Sequence, residues 1–160
     1  MPSAIITGGT RGIGACLVKD FAKEGFDIVT CARNQKDITL LEEFMNLHFP
    51  KIKFHVLQCD VSIKNEVQDF GKKALELIGT PDVLINNTGI FLPGKCQNEE
   101  DGVFEKQINT NLASSYHLTR VLLPSMISKK GGYIFNICSI ASIAAYANGG
   151  SYTISKFGLL

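Results

Sequence analysis

Ser139, Tyr152 and Lys156 lie in one stretch, S-I-A-S-I-A-A-Y-A-N-G-G-S-Y-T-I-S-K, and their types suit proton transfer at an oxygen atom. Tyr152 and Lys156 stand at i and i+4. In a helix that spacing puts both side chains on one face, one turn apart. A lysine ammonium beside a phenol stabilises the phenolate, so the phenol can exchange its proton with an alcohol or carbonyl oxygen. Ser139 supplies a hydroxyl to hold that oxygen. Y-x-x-x-K by itself also describes a solvated helix face, so the rest of the chain must decide between the two.

A second pattern lies at the opposite end. Thr7 to Gly14 reads T-G-G-T-R-G-I-G, between an apolar run and a helical one. A glycine-rich turn between strand and helix is the setting of a phosphate-binding loop. Gly8 permits the tight turn, Gly12 lets the backbone approach a pyrophosphate, and Gly14 allows close helix–strand packing. Thr10, Arg11 and Ile13 complete the loop. The free N–H groups and positive end of the helix face the phosphates. The spacing is G-x-x-x-G-x-G rather than G-x-G-x-x-G. A dinucleotide site that prefers NAD carries Asp or Glu at the end of the second strand, for the ribose 2′-OH. Here that strand ends Cys31-Ala32-Arg33-Asn34. Arg33 and Arg11 can clamp a 2′-phosphate with charge-assisted hydrogen bonds, so NADP(H) is expected over NAD(H).

The elements that position these residues follow from periodicity. Ala4–Thr7 reads as a buried strand, and a helix from Gly12 shows Ile13, Leu17 and Phe21 as its apolar stripe before Gly25 stops it. Phe26–Cys31 is a second strand. A helix over Lys36–His48 carries Ile38, Leu41, Phe44 and Met45. Ile52–Cys59 is a third strand closed by Asp60. Ser62 is the expected N-cap of a helix bearing Val67, Phe70, Ala74 and Leu77. Asp82–Asn86 is a fourth strand, Phe91–Asn98 a loop, and Glu99 to about Ser128 one long helix. Tyr133–Cys138 is a fifth strand that runs into Ser139. Strand–helix alternation with short connections argues for a parallel sheet covered on both faces.

Composition narrows the function classes. With 45% hydrophobic and 19% charged residues, the 160-residue chain has the profile of a soluble globular domain with a real core. A net charge of +1 gives no global attraction to nucleic acid or membrane. No apolar run is long enough to span a bilayer, and the N-terminus lacks the pattern of a signal peptide. Five cysteines without a C-x-x-C read as reduced, mostly buried thiols in a cytoplasmic protein. His48, His55 and His117 are scattered, so no metal site is expected.

Together these motifs resemble the short-chain dehydrogenase/reductase family over the whole chain. T-G-G-T-R-G-I-G fits the family's T-G-x-x-x-G-x-G, and Asn86-Asn87-Thr88-Gly89 fits its N-N-A-G. Asn111, in I-N-T-N-L, falls at the active-site asparagine. Ser139, Tyr152 and Lys156 fit the serine and Y-x-x-x-K. The resemblance implies a Rossmann-type, doubly wound three-layer α/β/α domain with the cofactor across the carboxyl ends of the strands. It implies that Asp60 and Val61 contact the adenine, that Asn87 and Gly89 lie along the nucleoside, and that Lys156 orients the nicotinamide ribose. Asn111 would hold a water leading from Lys156 to solvent. The chain departs from the family at Thr88, where alanine is usual and the site narrows slightly, and at Cys138, where serine is usual.

The implied activity is NADP(H)-dependent interconversion of a ketone and a secondary alcohol, with Tyr152 passing the proton. The resemblance extends to 3-oxoacyl thioester reductases and sepiapterin-type reductases without separating them. It implies a small-molecule carbonyl or alcohol substrate and a homodimer or homotetramer. The alternative is a catalytically silent NADP(H)-binding sensor or interaction protein on the same fold. Intact Asn111, Ser139, Tyr152 and Lys156 favour the enzyme, and the glycine spacing disfavours nucleotide-sugar epimerases and dehydratases. Family members run to about 250 residues, more than one such domain needs. The chain is therefore expected to be one dinucleotide-binding domain cut short after the Tyr–Lys segment.

Overall fold

The computed structural model describes residues 1–160 as a five-stranded parallel sheet with helices on both faces. The order along the chain is β1 (Ser3–Thr7), α1 (Gly12–Lys23), β2 (Asp27–Ala32), α2 (Gln35–His48), β3 (Phe54–Gln58), α3 (Lys64–Ile78) and β4 (Val83–Asn86). Then come α4 (Val103–Ile108), a π-turn (Asn109–Ala113), α5 (Ser114–Lys129), β5 (Tyr133–Asn136) and α6 (Gly150–Leu159). Across the sheet the order is β3-β2-β1-β4-β5. Ile5 pairs with Val29 on one side and Leu84 on the other.

The central strands are apolar on both faces because both faces are covered. Ile5, Val29, Cys31 and Leu84 point into a core closed by Val67, Phe70 and Ala74 of α3 and Leu118, Leu122 and Met126 of α5. Ala4, Ile6, Ile28 and Ile85 point the other way, onto Val18 and Ala22 of α1 and Ile38, Leu41 and Met45 of α2. All four residues of β5 are exposed at the sheet edge.

Several local expectations are corrected. The buried stripe of α1 is Gly14, Val18 and Ala22, whereas Ile13 is 62% exposed. Leu17 and Phe21 of the expected stripe do pack against this core, partly buried, so only Ile13 falls off the inner face. Ser62 does not cap α3: the N-cap is Ile63, and Ser62 turns both its N–H and its hydroxyl to Asp60 Oδ1, at 2.9 and 2.7 Å. The long helix starts at Val103, not Glu99, because Gly102 turns the chain into it with φ +87. It also carries a π-turn at Asn109–Ala113 that periodicity did not reveal. Such an insertion re-phases the helix and is common at functional sites. The thiols are not mostly buried. Cys31 and Cys59 are, Cys138 is intermediate, and Cys16 and Cys96 are exposed on α1 and in a loop turn.

Candidate active site

The cofactor loop begins where β1 ends. Between β1 and β4 the strand order reverses, and their carboxyl ends part there to leave a crevice. Thr7 and Asn87 hold its rim. Asn87 N donates to Thr7 Oγ1 at 3.0 Å and Asn87 Nδ2 donates to the Thr7 carbonyl at 2.8 Å. Gly8 adopts φ +70, and a Cβ on Gly14 would run into the Gly8 carbonyl oxygen. The sequence roles of these two glycines, turn and close approach, are therefore physical requirements of this backbone.

A cavity of about 550 Å³ opens beside the loop. Of the residues expected at a cofactor, Gly8, Thr10, Arg11, Arg33, Asn34, Asp60, Val61 and Gly89 line it. Gly12, Ile13, Gly14, Asn87, Tyr152 and Lys156 do not: the first four act on the loop and rim, and the last two stand on α6. Sequence reasoning missed Asp37, Cys31, Cys59, Ile90 and Thr110, which also line it. Thr88 lines it with its hydroxyl oxygen buried and without a partner.

Both arginines of the expected clamp reach this cavity, and each already has a carboxylate. Arg11 Nη2 lies 2.7 Å from Asp37 Oδ2, and Arg33 Nη1 lies 3.7 Å from Asp60 Oδ2. The signal for Asp37 was present in sequence as an acid in the first turn of α2. Asn34 caps that helix, its Oδ1 accepting from the N–H groups of Lys36 and Asp37. Partial burial disfavours the Asp60 anion, but the Ser62 N–H and hydroxyl and the Arg33 guanidinium outweigh it and hold the carboxyl below its usual range.

The second half of the site hangs on α6. Tyr152 and Lys156 fall on one face of this helix, as the spacing predicted. Lys156 is 4% exposed, and its Nζ donates to the Ile137 carbonyl at 2.8 Å. Burial pushes its pKa down, because no carboxylate offsets the loss of water. A Cβ on Gly89 would sit 3.4 Å from Lys156 Nζ and 3.5 Å from Asn111 Oδ1. The missing side chain leaves room beside the ammonium. Ser139 caps the short turn Ile140–Ser142, its Oγ accepting from Ala141 N at 3.2 Å. That bond uses a lone pair of the hydroxyl and leaves its proton free. The turn packs against α6.

Asn111 stands one step behind this face. It is fully buried; its Oδ1 accepts from Ile90 N at 2.7 Å, and its Nδ2 donates to the Ile90 carbonyl and to Ser155 Oγ, both at 2.9 Å. With those bonds made, both amide protons are committed. Gln107, four residues earlier, repeats the pattern. Its Oε1 accepts from Leu92 N at 3.0 Å, and its Nε2 donates to the Leu92 carbonyl at 3.3 Å and to Ser151 Oγ at 2.6 Å. Two buried carboxamides thus tie alternate residues of the loop after β4 to two serines, four apart, on the helix of Tyr152. Glu99 completes the clamp, its Oε1 accepting from Ser151 N at 2.8 Å and from Ser151 Oγ at 3.0 Å.

The model of the short-chain dehydrogenase family matches residues 2–160. The chain belongs to the short-chain dehydrogenase family. Among its relatives, the ketoacyl reductase HetN of a Nostoc species is 32% identical over 158 residues, covering 99% of this chain and 54% of the relative. A 3beta-hydroxysteroid dehydrogenase of Eggerthella lenta is 30% identical over 162 residues, covering 99% and 61%. The chain therefore spans a little over half the length of these curated relatives. Among solved structures, a metagenomic short-chain oxidoreductase in complex with NADP superposes with a TM-score of 0.91 at 31% identity, covering 99% of this chain and 71% of the other. A blue fluorescent protein from a metagenomic library, in complex with NADPH, gives 0.91 at 30%, covering 99% and 64%. Family membership accounts for the Rossmann-type order of the sheet.

Proposed function

We propose that this protein is an NADP(H)-dependent oxidoreductase that interconverts a ketone and a secondary alcohol, with Tyr152 as the proton donor and acceptor. One observation carries the reading. Lys156 and Tyr152 share a face of α6, and the Lys156 ammonium adjoins the side-chain-free space at Gly89, on the wall of the cavity that holds Arg11 and Arg33. Residues 1–160 act in this reading as one dinucleotide-binding unit.

The nicotinamide cofactor, when bound, supplies or takes up the hydride at the substrate carbon. Gly8, Thr10, Asp60, Val61 and Gly89 line the crevice that would receive it, and Arg11 and Arg33 favour a 2′-phosphate. Gly12, Ile13 and Gly14 shape the loop, Asn34 holds the start of α2, and Asn87 holds the rim. Ser139 donates its free proton to the substrate oxygen. Tyr152 gives its proton to that oxygen in reduction and takes it back in oxidation. Lys156 stabilises the phenolate that forms and reaches the ribose. Asn111 holds the loop at Ile90 and the helix at Ser155, so any water it holds hangs on its backbone carbonyl or on a remaining lone pair. Similarity to a ketoacyl reductase and to structures complexed with NADP and NADPH supports the reaction class and the cofactor. Exposed Tyr116, Leu123 and Ile127 on α5 and Ile154 and Phe157 on α6 support assembly into a homodimer or homotetramer.

The test is Tyr152→Phe in the full-length protein. NADPH binding should stay within about threefold of the parent, while ketone reduction falls by roughly 10²–10⁴-fold. Full turnover in the variant overturns the assignment of Tyr152. NADPH binding by the parent without turnover of any carbonyl shifts the reading to a silent cofactor-binding protein.

A further inference from the structure

We propose that Ser142 is a positioning residue: its buried hydroxyl holds the Ser139 backbone, so that the Ser139 hydroxyl presents its free proton to the substrate oxygen. The inference rests on the reading of Ser139 as the group that holds that oxygen, and it adds the residue that aims it.

The sheet does not reach Ser139. Strand β5 ends at Asn136, and the last backbone bond along it runs from Ile137 N to the Asn86 carbonyl at 2.9 Å. The Ile137 carbonyl accepts from Lys156 Nζ at 2.8 Å. Ser139 stands two residues further on, so its own turn must hold it.

Ser142 supplies that hold. Its Oγ accepts from Ser139 N at 3.1 Å, and its N–H donates to the Ser139 carbonyl at 2.9 Å. Ser139 Oγ in turn accepts from Ala141 N at 3.2 Å. The N–H, the carbonyl and the hydroxyl oxygen of Ser139 are thus all engaged inside the turn, and its hydroxyl proton is left over. With backbone and side chain tied, that proton has only its own rotation left. A donor fixed before the reaction costs no reorganisation when charge develops on the oxygen it faces.

The reciprocal pair Ser139-x-x-Ser142 is a capping box in which serine takes the second place, where Glu or Gln is usual. The substitution suits the chemistry. A carboxylate in this turn would set a negative charge beside an oxygen that gains negative charge as a ketone is reduced. A serine returns the same bond to Ser139 N without that charge.

Burial decides which role the Ser142 hydroxyl takes. Ser142 is 1% exposed, whereas Ile140 in the same turn is 81% exposed. A substrate does not reach Ser142, so it is not a second oxygen-binding hydroxyl. A buried hydroxyl is costly unless it is bonded, and the partner of this one is the Ser139 N–H.

The experiment is a double-mutant cycle in the full-length protein: Ser139→Ala, Ser142→Ala and both together. Turnover is followed with NADPH and a 3-oxoacyl ester or an aryl ketone, whichever the parent reduces faster. Ser142→Ala alone should lower kcat by about tenfold, the scale of a sub-ångström misplacement, and leave NADPH affinity within about twofold. In the Ser139→Ala background the same change should cost less than about twofold, because the group it aims is gone. Losses that multiply overturn the proposal, since a turn that only supports the fold acts with or without the Ser139 hydroxyl. An unchanged kcat in Ser142→Ala overturns it too. Ser142→Cys keeps the size and offers a weak acceptor. Its kcat should fall in the same direction, and it serves if Ser142→Ala folds poorly. Full turnover by Ser139→Ala removes Ser139 from the reaction, and Ser142 with it, while Tyr152 keeps its role. Should no ketone turn over, amide exchange followed by NMR decides. Protection of the Ser139 N–H that drops by at least about tenfold in Ser142→Ala upholds the hold on Ser139 while the redox reading fails; an unchanged exchange rate overturns the hold.

Discussion

Two carboxylates stand beside the two guanidiniums of the cofactor cavity, and they change what the arginines alone would imply. Arg11 lies 2.7 Å from Asp37, whose side chain is 20% exposed. A 2′-phosphate drawn in by Arg11 and Arg33 would arrive next to this anion and compete with it for the same guanidinium. Asp37→Asn should therefore tighten NADPH relative to NADH, by about fivefold, the scale of one solvent-screened charge pair. Titrating both cofactors into parent and variant checks this; an unchanged ratio would mean that Asp37 is spectator to the 2′-position, and a reversed one that it orients Arg11 productively. The arginines themselves were legible in sequence, because a cation in place of an acid after the second strand is a change of residue type at a known step of the fold. Their partners were not, because Asp37 and Arg11 meet only when α1 and α2 are laid on the same face of the sheet. Tyr152 and Lys156 needed no such knowledge, since an i, i+4 pair is fixed by the helix itself.

The helix that carries them is another matter, since nothing in its own ten residues says where it sits. Its position is set by contacts from 44 and 52 residues away: Gln107 and Asn111 on Ser151 and Ser155, and Glu99 on the Ser151 backbone. In sequence, Glu99 marked the start of a long helix, and Gln107 within it carried no signal of its own. Both are instead polar groups turned inward, and a buried carboxamide with all its bonds made specifies one packing of the elements it joins. The π-turn that re-phases this helix around Asn111 leaves no mark in the hydrophobic period, so it was equally unreadable. Gln107→Ala would leave the Leu92 N–H and carbonyl without their side-chain partner and Ser151 with Glu99 alone, at about 1–3 kcal/mol. We expect it to lower the melting temperature by several degrees and kcat by about tenfold, with little change in NADPH affinity. Glu99→Gln keeps an oxygen acceptor for Ser151 and should remain near the parent, whereas Glu99→Ala should resemble Gln107→Ala. If Glu99→Gln fails as badly as Glu99→Ala, the negative charge and not the bond is what α6 requires. If Gln107→Ala loses stability but no kcat, the clamp holds the fold without positioning Tyr152.

At the scale of the molecule, the alternation of strand and helix was enough to expect a parallel sheet, and apolar runs such as Ala4–Ile6 located its centre. Which strand lies beside which is a matter of crossovers, and no periodicity encodes the order β3-β2-β1-β4-β5; the family motifs implied it. The glycine loop and its cavity lie at the carboxyl ends of these strands, and a different polar cluster ties the amino ends together. Asp82, just before β4, accepts from Ser3 N at 2.9 Å and from Lys129 Nζ at 2.6 Å, joining β1, β4 and the end of α5. The Lys129 ammonium holds the Asp82 carboxyl below its usual range, the Ser3 N–H adds to this, and partial burial opposes it. A carboxyl whose pKa is lower folded than unfolded stabilises the fold above its unfolded value, about 4, and loses that contribution as pH falls through the folded value. The pair is more than a third exposed, so solvent screening keeps its contribution small. Asp82→Asn should accordingly lower the melting temperature at neutral pH by roughly 1–3 °C and shrink that gap below about pH 4, where the parent has lost the same interaction. Thermal melts of both proteins from pH 7 to pH 3 decide it: a gap that stays constant across the acid range would assign the loss to the altered hydrogen bond at Ser3 N and remove the ion pair from the account.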